Sequence, residues 1–96
     1  MPRADFDRDL RLLQDELLLM GSMVEKALTK AMDALRRRDL KASREVIRDD
    51  DLVDRKRFDI EEQCINIIAT QTPVARDLRY LVTILHISVE LERMAD

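Results

Sequence analysis

The 96-residue chain is short of the residues that turn a chain back on itself: it has one glycine, Gly21, and two prolines, Pro2 and Pro73. A β-sandwich or barrel needs a turn roughly every 8–12 residues, and the residues that build such turns are missing. The single cysteine, Cys64, excludes a disulfide scaffold. With Gly21 alone there is no glycine-rich loop to cradle a phosphate. Aromatics are three, Phe6, Phe58 and Tyr80, and tryptophan is absent. No charge of one sign dominates: 17 basic against 20 acidic residues leave −3, without the basic excess of a dedicated nucleic-acid binder. Long apolar runs are lacking as well. The longest, Leu17–Met20, is far short of the roughly 20 residues of a membrane span, and the charged start MPRADFDRDL has no apolar signal-peptide segment. The pattern fits a soluble intracellular protein with no direct membrane insertion.

What is present is 46% hydrophobic and 39% charged, rich in Leu, Ala, Glu, Lys and Arg, the composition of a helical bundle. A first stripe, Phe6, Leu10, Leu13, Leu17, Met20, Val24, Ala27, Ala31 and Ala34, steps alternately by four and three, the heptad of a left-handed supercoil. Gly21-Ser22 weakens its middle by about 1 kcal/mol and is a place for a bend. The run Arg36-Arg37-Arg38 complements a helix C-terminus; a solvated helix end is the plain reading, phosphate contact the sharper one. Asp39 is a natural N-cap for a second helix. Its stripe contains Ile47, Asp54, Phe58, Glu61, Ile65 and Ile68, with Val46, Val53, Ile60, Cys64 and Ile67 beside it. Thr72 as N-cap with Pro73 at the first helical position opens a third helix. Its stripe is Val74, Leu78, Leu81, Leu85, Val89, Glu92 and Asp96. The pattern predicts an all-α antiparallel three-helix bundle, with helices near 5–38, 40–70 and 73–96.

Acid pairs four residues apart carry no signal by count. Chance gives 92 × (20/96)², about four, and four are present: Asp5/Asp9, Glu45/Asp49, Asp50/Asp54 and Glu92/Asp96. Their placement says more. Glu92 and Asp96 continue an apolar stripe, Asp54 lies between Ile47 and Phe58, and Asp50 is one turn earlier. If helices 2 and 3 fold back near residue 71 or 72, Asp50 faces about position 93 and Asp54 about 89, so four carboxylates converge between two helices. Clustered carboxylates repel one another and need cations or a wet edge. An all-oxygen set suits Mg²⁺, Mn²⁺ or ferric iron better than a thiolate-seeking metal. The plainer alternative is pairing with Arg55, Arg57 or Arg93 at a partly solvated end.

Other chemistry has less support. His86 lies beside the third stripe and lacks the Glu-x-x-His partner of a di-iron bundle, since Thr83 stands three residues before it. Cys64 sits among isoleucines and reads as a small core residue. Arg76-Asp77-Leu78-Arg79 sets arginines against the positive end of a helix dipole, which suits either an anion or partner site or a pairing centred on Asp77.

Three segments together resemble a known family. Asp50-Asp51-Leu52-Val53-Asp54 looks like its first acidic motif. Gln71-Thr72-Pro73-Val74-Ala75-Arg76-Asp77-Leu78-Arg79 and Leu91-Glu92-Arg93-Met94-Ala95-Asp96 look like its second and third signatures. The family is PhoU, the phosphate-uptake regulators, and the likeness runs from Leu10 to Asp96. It implies a cytoplasmic all-α protein built of two three-helix repeats. Residues 1–96 would then be a single such repeat, the N-terminal one, truncated at its C-terminus. Carried over residue by residue, it marks Asp50, Asp54, Glu92 and Asp96 as ligands of a metal ion, which could be iron, manganese, magnesium or zinc. It further implies a negative regulator and not an enzyme. Such a regulator restrains the phosphate ABC transporter and phosphate-regulon two-component signalling when phosphate is sufficient. Its partners would be the transporter's ATPase subunit and the sensor histidine kinase, met at the inner membrane face. A repeat without its companion would expose an apolar face, so homo-oligomers are expected. The competing functions are a plain helical dimerisation module without a metal role and, with least support, a small Mg²⁺-dependent hydrolase or transferase.

Overall fold

The computed structural model describes residues 3–71 and 73–95, apart from the side chain of Ser43. Thr72 and Asp96 lie outside the described residues. Among the described residues there are three helices: α1 Arg3–Arg37, α2 Leu40–Gln71 and α3 Ala75–Ala95. Each packs against the other two. The 53 Å long axis matches the about 52 Å expected of a 35-residue helix. α1 runs unbroken through Gly21-Ser22.

The α1–α2 corner takes two residues and is held by hydrogen bonds. Arg38 adopts φ 53°, its N–H donates to Leu35 O (3.3 Å), and Asp39 N–H donates to Ala34 O (3.1 Å). This is a Schellman cap with arginine where glycine is usual. Asp39 then caps α2, its Oδ1 accepting from the N–H groups of Lys41 (3.0 Å) and Ala42 (3.2 Å), as the N-cap reading anticipates. Two-residue reversal makes α1 and α2 antiparallel. Ion pairs Glu16–Lys56 (2.6 Å) and Lys30–Asp49 (3.1 Å), and the hydrogen bond from Gln71 to Asp9, lie along their seam.

The α1 stripe is the inward one: Phe6, Leu13, Met20, Val24, Ala27 and Ala34 are buried. α2 and α3 differ from the sequence pattern. On α2 the buried side chains are Val53, Ile60, Cys64 and Ile67, while Ile47, Phe58, Ile65 and Ile68 are exposed. The stripe expected inside carries Asp54 and Glu61, whose burial would cost several kcal/mol each unless paired. The adjacent stripe carries Val53, Ile60, Cys64 and Ile67 into the core and keeps its own polar residues, Asp50, Arg57 and Gln71, half-buried. On α3 the seam is Asp77, Leu81, Ile84 and Ser88, with Leu85, Leu91 and Ala95 packed against the core. Val74 and Val89, expected inside, are exposed, and Leu78 is at the margin. Leu81 is shared by both candidate seams; the real one buries the small Ser88 and packs Ala95 against the core. Ser88 meets its polar need by donating to Leu85 O (2.7 Å). Fully buried side chains such as Leu13, Met20, Ile60 and Leu81 each contribute about 1.5–3 kcal/mol.

α3 opens at Ala75, two residues beyond Pro73, and Val74 O accepts from Leu78 N–H (3.0 Å). Val74 therefore holds the N-cap position that the pattern assigns to Thr72. Asp77, in the first turn, is 2% exposed and paired by Arg3 of α1 at 2.5 Å. That arginine also stacks on Phe6, 4.9 Å from the ring centre. The Arg3 hydrogen bond, outweighing the cost of burial, holds the Asp77 carboxyl below the usual value, helped by the Val74 N–H and the Arg76 charge. The pairing centred on Asp77 is thus made with α1, 74 residues away.

Candidate metal centre

The inward seam of α2 has polar breaks. Stepping through Val46, Asp50, Val53, Arg57, Ile60, Cys64, Ile67 and Gln71, the heptad meets Asp50, Arg57 and Gln71 at half-buried positions. Asp50 and Asp54 are one helical turn apart, and Asp51 lies three residues before Asp54, so all three carboxylates can rise on one side of the helix. The structure brings them together. One carboxylate oxygen from each of Asp50, Asp51 and Asp54 lies within 4.8 Å of the other two, with Asp50 and Asp54 half-buried and Asp51 exposed. A cation holding oxygens at 2.0–2.6 Å on opposite sides spans about 4–5 Å between them. The three residues therefore fit a hard ion. They offer only oxygen, with no imidazole or thiolate among them.

Glu92 is placed differently. Its Oε2 accepts a short hydrogen bond from Arg57 Nε, and Arg57 Nη1 also reaches Glu61 Oε2 at 3.1 Å. The simple fold-back sets Glu92 opposite about Asp51; the observed partner stands six residues further along α2. The Arg57 guanidinium covers the Phe58 ring at 4.4 Å. Its pKa is raised by Glu92 above all, and also by the charges of Glu61 and Asp54. Arg57 thus feels the α2 cluster and the α3 carboxylate at once. Arg93 pairs with Glu90 (3.3 Å) on the outer face of α3. Of the four carboxylates marked by resemblance, Asp50 and Asp54 converge, Glu92 is engaged by Arg57, and Asp96 falls outside the described residues.

Asp51 is the member of the cluster that spacing by fours passes over; its position beside Asp50 and three before Asp54 is the signal that finds it. Arg57 is one of the three arginines the sequence offers as partners for the acids, and it is the one that pairs with Glu92; the heptad registered on Val53, Ile60 and Ile67 sets it on the inward seam. Cys64 is wholly buried, and burial, with a smaller push from Glu61, raises its thiol to about 11, which suits a packing role and not a nucleophile. His86 is exposed on α3. Arg36 and Arg37 pair with Asp33 at 3.1 and 2.7 Å, the arrangement of a solvated helix end.

An antiparallel three-helix unit with an oxygen-only cluster on its middle helix is the class that fold and site define. Within that class the chain belongs to the PhoU domain family, which residues 17–96 match. It is similar to the phosphate-specific transport system accessory protein PhoU homolog of Clostridium acetobutylicum, at 42% identity over 97 residues, 100% of this chain and 44% of the relative. A protein of the same name from Burkholderia sp is 40% identical over 93 residues, 97% of this chain and 40% of the relative. The phosphate-specific transport system accessory protein PhoU of Escherichia coli K12 is 35% identical over 93 residues, 97% and 39% of the two chains. The chain spans about two fifths of the length of the curated relatives it matches. No solved structure matches it.

Proposed function

We propose that residues 1–96 form one helical repeat of a metal-binding regulatory adaptor of phosphate uptake. When phosphate is sufficient, the adaptor restrains the phosphate ABC transporter and the phosphate-regulon two-component system. The observation that carries this reading is family membership: residues 17–96 match the PhoU domain, and relatives named as accessory proteins of the phosphate-specific transport system align with nearly all of the chain. The adaptor works by contact, through the transporter's ATPase subunit and the sensor histidine kinase, and catalyses nothing itself. Its place is the cytoplasm, peripheral to the inner membrane through those partners. Among the described residues no helix is long and apolar enough to cross a membrane, which agrees with that placement.

The metal part of the proposal is supported by the Asp50, Asp51 and Asp54 cluster, whose like charges at close range favour a neutralising cation. Oxygen donors favour iron in its ferric state, manganese or magnesium over zinc. Self-association is supported by the outward apolar residues of α1 and α2, among them Leu18, Leu35, Ile47, Phe58 and Ile65.

The regulatory reading is tested by pull-down with the ATPase subunit and the sensor kinase, with and without phosphate. Enrichment of either, changing with phosphate, is expected; enrichment of neither contradicts the reading. If Asp50→Asn and Asp54→Asn leave partner capture untouched, the chain is an interaction module in which the acids play no part.

A further inference from the structure

The acids of the middle helix come with a cation of the protein's own. Arg57 occupies an inward seam position of α2, where Val53 and Ile60 on either side are wholly buried, and its side chain is only 19% exposed. A long cation in such a place is held there by what it touches. It touches the α3 carboxylate Glu92, itself 20% exposed, the Glu61 carboxylate, and the Phe58 ring. Asp54, three residues earlier on the same helix, is close enough for its charge to act on the guanidinium. The carboxylate that α3 could lend to an ion and the cluster on α2 therefore share one neighbour, and that neighbour is positive.

We propose that Arg57 is a tethered competitor for the metal site: its guanidinium occupies Glu92, so an ion bound at Asp50, Asp51 and Asp54 gains the α3 carboxylate only by displacing it. The inference rests on the metal reading above and adds to it a device that sets affinity and couples ion binding to the α2–α3 contact. Charge-assisted bonds to a guanidinium are strong enough to compete with a single metal–carboxylate contact. The displaced Arg57 keeps Glu61, one turn further on, as an alternative partner. Ion binding would then exchange one α2–α3 link, Arg57–Glu92, for another, Glu92 to the ion.

Two substitutions separate this from a purely structural ion pair, because both break the same contact. Arg57→Gln removes the competitor and leaves the ligand; Glu92→Gln removes the ligand. Mn²⁺ is titrated into the 96-residue chain and its variants, free Mn²⁺ being read by electron paramagnetic resonance, with helix content checked by circular dichroism. Arg57→Gln is expected to tighten Mn²⁺ on the order of tenfold, Glu92→Gln is expected to give no tightening, and the double variant loses the gain. Arg57→Lys keeps the charge and loses the fork that spans Glu92 and Glu61, so it is expected to tighten Mn²⁺ less than the glutamine variant. Arg57→Met, which removes the charge and keeps the apolar stem, is expected to tighten it as the glutamine variant does and serves if that variant fails to fold. Absence of tightening by Arg57→Met overturns the proposal. If Arg57→Gln and Glu92→Gln shift affinity equally and in the same direction, or neither shifts it while Asp54→Asn weakens binding, Arg57 is no competitor and the metal reading survives alone. If Asp50→Asn and Asp54→Asn also leave Mn²⁺ binding unchanged, the metal reading itself falls.

Discussion

The two apolar faces of α2 have similar side chains and opposite fates. Val53, Ile60, Cys64 and Ile67 are sealed in the bundle, whereas Ile47, Phe58, Ile65 and Ile68 stand outside it. Hydrophobicity does not separate the two sets; the company they keep does. The outward face carries Asp54 and Glu61 in register with its apolar residues, both half-buried at the edge of the helix contact. The inward face tolerates Asp50 and Arg57 only at half-buried positions beside acids and cations of the same region. Each face carries two half-buried charges, so what distinguishes the inward one is the run Val53, Ile60, Cys64 and Ile67 packed into one cluster with the side chains of α1 and α3.

Substitutions can break or sharpen that comparison. The largest effect is expected from Ile60→Ala, about 3 kcal/mol of stability lost in urea unfolding, against less than about 0.5 kcal/mol for Ile65→Ala. The reverse order would exchange the two faces. Second is the link that closes the far end of the bundle. Arg3→Gln leaves the Asp77 carboxylate buried and without its cation, so unfolding moves to lower denaturant at neutral pH. The same variant alters acid sensitivity. Because the folded-state pKa of Asp77 lies below the ordinary 3.8, the unfolded chain binds more protons between the two values. Stability from this group is full above 3.8 and is lost as pH falls through the lowered folded value. Arg3→Gln should flatten that part of the stability–pH curve; an unchanged slope contradicts the pairing. Smaller are Arg57→Gln and Glu92→Gln, each about 0.5–1 kcal/mol in metal-free buffer and equal to each other, since both remove one partly solvated pair. Smallest is a gain: Arg38→Gly relieves the left-handed backbone at the α1–α2 corner, worth about 0.5 kcal/mol once glycine's greater unfolded freedom is subtracted.

Much of the fold is legible in the sequence where a signal is local and unopposed. The α1 stripe keeps an unbroken heptad and reads correctly from Phe6 to Ala34, although Leu18 and Leu35 lie outside it; Asp39 caps α2 as its residue type suggests. On α2 and α3 apolar residues lie on two faces, so periodicity alone admits two seams, and only packing chooses between them. The Arg38 cap is hidden because arginine stands at a position that usually announces itself as glycine. The Arg3–Asp77 pair is hidden by its 74-residue separation. In the candidate site the Asp50/Asp54 spacing and the three family-like motifs are readable, and Asp51 follows from its neighbours. Glu92 shows the other side: its place on a stripe reveals that it faces α2, and the sequence offers Arg55, Arg57 and Arg93 as partners, but only packing selects Arg57.

The measurement that bears most directly on the account is the metal content of the purified chain by mass spectrometry, beside a variant carrying Asp50→Asn and Asp54→Asn. Binding at the α2 cluster predicts a first-row metal or magnesium retained by the parent and lost from the variant, with helix content unchanged. Equal metal in the two proteins would contradict it.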